Sequence, residues 1–355
     1  MGSRNDRGIR NLLRCRHPRW CGHAVRKGDV MKVKSIIPRD EAHWHELRAK
    51  HIGGSEVAAL FGLSSFMTPF ELWHIKKGNV EGPDLGDNDR VFWGNTLEPA
   101  IARGIAELEG WKIRKVWRYL SSEDVPGMGA SLDYQIISHP QGTAPLEIKA
   151  VDYLEYRDWP EENEQKAAPM KYSLQVQSQI DLLNSTWGCL GALVGGNRPE
   201  RFFLDRHDGA IQKIRGGIED FWHSIKMDQE PAPDFNKDAA AIEQLYGPDS
   251  DSFEDRTGDQ HLLALCAGYV DAREDEKAAA QMKEATRAKI ITKIGSLARV
   301  KVDRFTIARG AQFRITEHFD EEAGNYATYD LPPARDTAKQ FVTEPKDIGQ
   351  IASIF

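Results

Sequence analysis

Asp133, Glu147 and Lys149 lie close together in the segment SLDYQIISHPQGTAPLEIKA, residues 131–150. The two acids are hard oxygen donors of the kind that hold Mg2+ or Mn2+. An ammonium beside them can orient or deprotonate an attacking water and offset phosphate charge. Together these groups are the parts of a metal-assisted phosphodiester hydrolysis. Glu147 and Lys149 are i and i+2, so on a strand they share one face while Leu146 and Ile148 point to the other. Asp133 would meet them from the preceding strand. The same spacing also describes a solvated strand face, and E-x-K taken alone favours that plainer description.

The elements that must position these residues are punctuated clearly. Ser55 before EVAALF and Gly62 after it read as an N-cap and a C′ glycine around a short helix. Thr68-Pro69 opens a second helix, PFELWHIKKG, which Gly78 stops. Residues 79–90 read as a loop. TLEPAIARGIAELEG is a third helix whose stripe is Leu97, Ile101, Ile105 and Leu108. Strands are expected at WKIRKVWRYL, ASLDYQIIS and APLEIKAV, followed by an irregular acidic stretch over 152–168. A helix at MKYSLQVQSQIDLLN, strands at WGCLGALVGG and RFFLDR and a closing helix at AIQKIRGGIEDFWHSI complete the order. This alternation describes an α/β domain on a mixed sheet flanked by helices.

Three regions result: a basic leader over 1–30, the main domain over 31–230, and a C-terminal region over 231–355 beginning at the Pro231/Pro233 linker. In the last region, 257–294 reads as one long helix or a helical hairpin capped by Gly295. A β-hairpin turning at Arg309-Gly310 and a tail follow it.

Composition bounds the rest. The 355 residues are 40% hydrophobic and 28% charged, with no apolar run near the length of a membrane span. The arginine-rich start lacks the apolar stretch of a secretory signal. Four scattered cysteines suit a reducing cytoplasm. Cys15, His17, Cys21 and His23 fit no common zinc spacing, and no four cysteines bracket the core as an iron–sulfur cluster would need. The net charge of −7 counts only weakly against a DNA partner, because carboxylates at a metal site mask basic patches in the total.

The runs EAHWHELRAKHIGGSEVAALFGLSSFMTPFELWHIKKG, FWGNTLEPAIA, ASLDY, LEIKA and YSLQVQSQI, in this order over roughly 40–225, resemble one family. It is the YqaJ-type viral recombinases, which include the lambda-type exonucleases of the PD-(D/E)xK nuclease superfamily. The resemblance implies a PD-(D/E)xK core, with Asp133, Glu147 and the Ile148 carbonyl holding the catalytic metal and Lys149 positioning the nucleophilic water. It further implies that Glu98 is the helical acid supporting the metal and that Gln175 orients the water or Lys149. Gln177 and Gln179 read as plain polar helix positions. Arg48, Ser55 and Ser131 match the residues that bind a terminal 5′-phosphate, for which arginine offers a bidentate fork. ASLDY lacks the proline that precedes the aspartate in the lambda-type enzymes.

The activity so implied is a Mg2+-dependent exonuclease, with Mn2+ as a substitute. It would digest linear double-stranded DNA 5′→3′ and leave 3′ overhangs for a single-strand annealing protein, within a homo-oligomer that is a ring-shaped trimer in the lambda-type enzymes. The rivals are an endonuclease or structure-specific nuclease and a non-catalytic DNA-binding scaffold.

Overall fold

The computed structural model describes residues 30–83, 86, 88–162, 164–247, 253–310 and 312–317. The basic leader, its cysteine–histidine group and the C-terminal tail lie outside these residues. The described residues fall into two compact units that divide at 248/249.

The first unit opens with strand β1 (Val33–Ile36) and helix α1 (Glu41–Ala49), capped by Asp40, whose carboxylate accepts the His43 N–H. A 3-10 turn over Gly54–Glu56 leads into α2 (Val57–Leu60). The cap of this turn is Gly53, whose N–H donates to Glu56 Oε2 at 2.8 Å; Ser55 lies inside the turn and is not the expected N-cap. Helix α3 (Pro69–Lys77) follows the sequence reading, with the Thr68 hydroxyl accepting the Glu71 N–H and Gly78 left-handed at the C-cap. The third helix, α4 (Asp89–Glu109), begins before Thr96 because Asn88 caps it, taking the Arg90 and Val91 N–H groups. Its buried face is Ile101, Ala102, Ile105 and Ala106; Leu108 falls outside that face and is exposed.

The two expected strands after α4 are each split. WKIRKVWRYL becomes β2 (Ile113–Lys115) and β3 (Tyr119–Ser122), and ASLDYQIIS becomes β4 (Gly129–Ser131) and β5 (Tyr134–Ile136). β2 and β5 join one sheet while β3 and β4 join another. The larger sheet adds β6 (Ala144–Val151), β9 (Trp187–Val194) and β10 (Arg198–Asp205) in the order β10-β9-β6-β5-β2. It is mixed, with β6 and β9 parallel and the remaining pairs antiparallel. The smaller sheet runs β1-β3-β4. Between β6 and β9 the chain forms α5 (Tyr153–Arg157), a two-stranded ribbon of β7 (Glu161–Glu162) and β8 (Gln165–Lys166), and α6 (Met170–Leu182).

Helix α6 is the centre of the unit: every residue from Ser173 to Leu182 is buried. Val176 and Ile180 pack with Leu190 and Ala192 of the large sheet. Leu174 and Leu182 pack with Ala130 of the small sheet. The helix is enclosed on all sides although Ser173, Gln175, Gln177, Ser178, Gln179 and Asp181 are polar, so these side chains call for hydrogen-bond partners in the interior. Helix α4 covers the opposite face of the large sheet, where Ile101 and Ile105 meet Leu146 and Ile148. Gly191 on β9 makes that approach possible, since a Cβ there would stand 2.6 Å from Ile105 Cδ1.

Helix α7 (Asp208–Lys226) buries Ile211, Ile214, Ile218 and Phe221 on one face. The chain then stays with this unit beyond the expected break at 230, through α8 (Ala239–Leu245). Asp238 explains this, as its buried carboxylate accepts the Thr68 hydroxyl at 2.5 Å and the Asp234 N–H at 2.7 Å.

The second unit contains α9 (Gln260–Ile294), a single 35-residue helix with no buried residue. Gly295 ends it, as expected, and a three-stranded meander of β11 (Arg299–Val302), β12 (Phe305–Arg309) and β13 (Phe313–Glu317) follows; its β12–β13 pair is the expected hairpin, to which β11 adds a third strand. Among the described residues, no helix is long and apolar enough to cross a membrane.

Candidate active site

The acidic cluster forms where the chain passes between the two sheets. Because β2 pairs with β5 and β3 with β4, residues 113–122 and 129–136 are one antiparallel hairpin interrupted midway. At the interruption Val116, Trp117 and Arg118 face only Leu132 and Asp133. The extra residue is a bulge, which bends a hairpin and re-aims its side chains. The Val116 N–H donates to the Asp133 carbonyl across it at 3.3 Å.

Asp133 turns its carboxylate toward β6. The β5–β6 ladder stops at Leu146, and Asp133 Oδ2 accepts the Ile148 N–H at 2.8 Å just beyond it. A side chain thereby replaces the missing strand partner, and Ile148 enters the site through its backbone N–H.

Glu147 is 2% exposed and points from β6 to α6. Its Oε1 accepts from Lys149 Nζ and from Gln175 Nε2, both at 2.6 Å, and its Oε2 accepts from Gln179 Nε2 at 2.7 Å. Gln175 and Gln179 are i and i+4, stacked on one helix face. Gln179 thus joins Gln175 on Glu147 although it read as a plain polar helix position, and its spacing from Gln175 was the available signal. Gln177 faces elsewhere, donating to the Asp205 carbonyl and accepting the His207 N–H.

The electrostatics follow from this crowding. Burial, then the Glu147 and Glu98 charges, push the Asp133 carboxyl up to about 8, against the pull of Lys149 and the Ile148 N–H. Burial would lower the Lys149 ammonium, but the charge and hydrogen bond of Glu147, with Asp133 and Tyr172, outweigh it and hold it above the usual lysine value. Lys149 is thus a fixed cation in this arrangement, suited to orienting a water rather than deprotonating it.

Glu98 comes near enough for its charge to act on Asp133, yet its carboxylate is ion-paired with Lys115. Among the described residues no three His, Cys, Asp or Glu side chains converge as a metal cage. Asp133 and Glu147 nonetheless fit a hard divalent cation, because two crowded carboxylates are hard oxygen donors whose repulsion a cation relieves. Glu98 would have to leave Lys115 to join them.

The residues expected at a terminal phosphate gather on the neighbouring edge. Trp44 Nε1 donates to Ser131 Oγ at 2.8 Å, and the Arg48 guanidinium lies 4.7 Å from the Trp44 ring centroid. Trp44, which sequence reasoning missed, thereby links the two. The Arg48 guanidinium is 3.7 Å from Glu56, whose carboxylate is also bound by Lys76 Nζ at 2.8 Å; Lys76 in turn donates to the Arg48 carbonyl. Ser55 is exposed on the 3-10 turn, which packs beside β4. The same turn rests on α6 at the glutamines, where a Cβ on Gly54 would stand 3.3 Å from Gln175 Cγ.

Known proteins resemble this chain over the same region. Over 222 residues, 62% of this chain, the sequence is 28% identical to the uncharacterized protein YqaJ of Bacillus subtilis strain 168, and it spans 66% of that relative's length, just under two thirds. Of solved structures, an alkaline exonuclease of Laribacter hongkongensis matches 57% of this chain and 98% of its own at 17% identity and a TM-score of 0.42. The same enzyme in complex with dAMP gives 17% identity and 0.41, over 57% of this chain and 99% of its own. Residues 43–182 match the model of the YqaJ-like viral recombinase domain, a span that contains Arg48, Glu98, Asp133, Glu147, Lys149 and both Glu147-binding glutamines. The acidic cluster and its edge thus lie within the segment that matches the YqaJ-like viral recombinase domain.

Proposed function

We propose that this chain is a divalent-metal-dependent deoxyribonuclease acting on the ends of linear double-stranded DNA. The observation that carries the reading is Glu147, a buried carboxylate held by Lys149, Gln175 and Gln179 beside a second acid, Asp133. Two buried acids side by side are a poor structural device, since burying carboxylates costs stability unless they are paired or bind a cation, and the Lys149 ion pair is made with Glu147.

Mg2+, or Mn2+ in its place, held by Asp133, Glu147 and the Ile148 carbonyl with support from Glu98, would supply Lewis-acid stabilisation of charge developing on the phosphate. Lys149 orients the attacking water and offsets phosphate charge. Gln175 and Gln179 keep Glu147 in one rotamer, so its carboxylate needs no reorganisation during the reaction. Arg48, with Ser55 and Ser131, takes the 5′-terminal phosphate. The products would be 3′ single-stranded overhangs, made 5′→3′ for an annealing protein, and the working form would be a homo-oligomer such as a trimer in the cytoplasm of the host.

Digestion of linear duplex bearing 5′-phosphate or 5′-hydroxyl ends, beside a closed circle and with Mg2+ titrated, tests this. Linear DNA should shorten from its 5′ ends while the circle survives. A cut circle would replace the reading with an endonuclease, and no cleavage at any Mg2+ concentration would leave a DNA-binding scaffold.

A further inference from the structure

The bulge that delivers Asp133 also projects Trp117, which is 76% exposed. It is the middle residue of the longer arm: Val116 before it packs on the core, and Arg118 after it is exposed. Lys115 Nζ lies 5.8 Å from the Trp117 ring centroid and makes the ion pair with Glu98. Lys112 and Arg114 are exposed on the same segment, and no acid occurs from 110 to 122, in a chain whose net charge is −7. A local strip of cations around an open indole is the composition that tracks a nucleic-acid backbone while stacking its bases. It adjoins the acids directly, because the backbone of Val116 is bonded to that of Asp133.

We propose that Trp117 is a base-stacking residue for the DNA strand engaged at Asp133 and Glu147, with Lys115 and Arg118 lying along its backbone. The inference rests on the nuclease reading above and adds a contact to it. An indole face stacks on any base, so this contact holds the strand without reading its sequence. Arg118 contributes charge, which is screened by salt, whereas stacking is not.

The test uses the full chain in EDTA with a linear duplex carrying 2-aminopurine near its 5′ end, read by fluorescence and by anisotropy over a range of salt. Trp117→Ala should bind about ten-fold or more weakly, with a changed 2-aminopurine signal and an unaltered salt slope. Trp117→Phe should keep most of the affinity, and Arg118→Ala should lower the salt slope by about one. Thermal unfolding of Trp117→Ala should match the parent, since the ring is outside the core. Equal affinity and equal 2-aminopurine signal in Trp117→Ala and the parent would overturn the proposal, as would a variant that keeps both but loses binding to another protein. Cleavage by the parent with Mg2+ reads the nuclease function separately: cleavage with no Trp117 effect sinks the stacking contact alone, and stacking without cleavage sinks the nuclease reading alone.

Discussion

Gln179 donates from Nε2 to Glu147 Oε2 at 2.7 Å, with both residues buried. The oxygen that Gln175 and Lys149 leave free is thereby satisfied from one helical turn further on. Gln179→Ala should remove that partner and leave a charged oxygen unmatched in the interior. We expect a loss of ~1–3 kcal/mol in stability by denaturant unfolding. Cleavage should slow with little change in DNA affinity, because the glutamine holds the carboxylate and not the DNA.

Lys149→Ala and Asp133→Asn should each abolish cleavage of linear duplex while leaving circular dichroism and gel-filtration behaviour unchanged. Either variant cutting at the native rate would show that the acidic cluster is not the reacting centre.

The raised Asp133 carboxyl makes stability depend on pH in a defined direction. Its pKa is about 8 folded against the ordinary 3.8, so in the absence of divalent cations the folded state keeps a proton that the unfolded chain has released. The contribution is fully present below pH 3.8, falls as pH rises through that window and levels off above about 8. Thermal melts in EDTA should therefore show a downward slope from weakly acidic to weakly alkaline pH that Asp133→Asn flattens. An identical slope in the variant would assign it to other groups.

Binding of a divalent cation requires the ionised carboxylate, so it should release a proton below pH 8. Calorimetry with Mn2+ in two buffers of different ionisation enthalpy should give heats that differ at pH 7 and converge above pH 9. Asp133→Asn should remove the difference.

Arg48→Ala should reduce the preference for 5′-phosphate over 5′-hydroxyl ends more than it reduces the limiting rate. Trp44→Phe should do the same more weakly, since Trp44 holds Ser131 by hydrogen bond and Arg48 by its ring. Competition digests of the two substrates read both effects.

Much of this protein was legible in its residues one after another. Thr68-Pro69 with Gly78, the alternation of β6 and the polar run of α6 are local signals, set by capping chemistry and by the two-residue and 3.6-residue periods. They place Glu147 and Lys149 on one strand face and Gln175 on a helix without any long-range information. Tertiary structure decided the rest. The strands 113–122 and 129–136 look continuous in sequence, and only their pairing into two different sheets creates the bulge that turns Asp133 toward Ile148. Asn88 and Asp238 moved an element start and a domain break through bonds that periodicity does not register. Gln179 and Trp44 gain their meaning from what lies across from them, and Trp117 from its exposure beside Asp133. A side chain's partner in space depends on how distant strands and helices pack, and no local spacing encodes that.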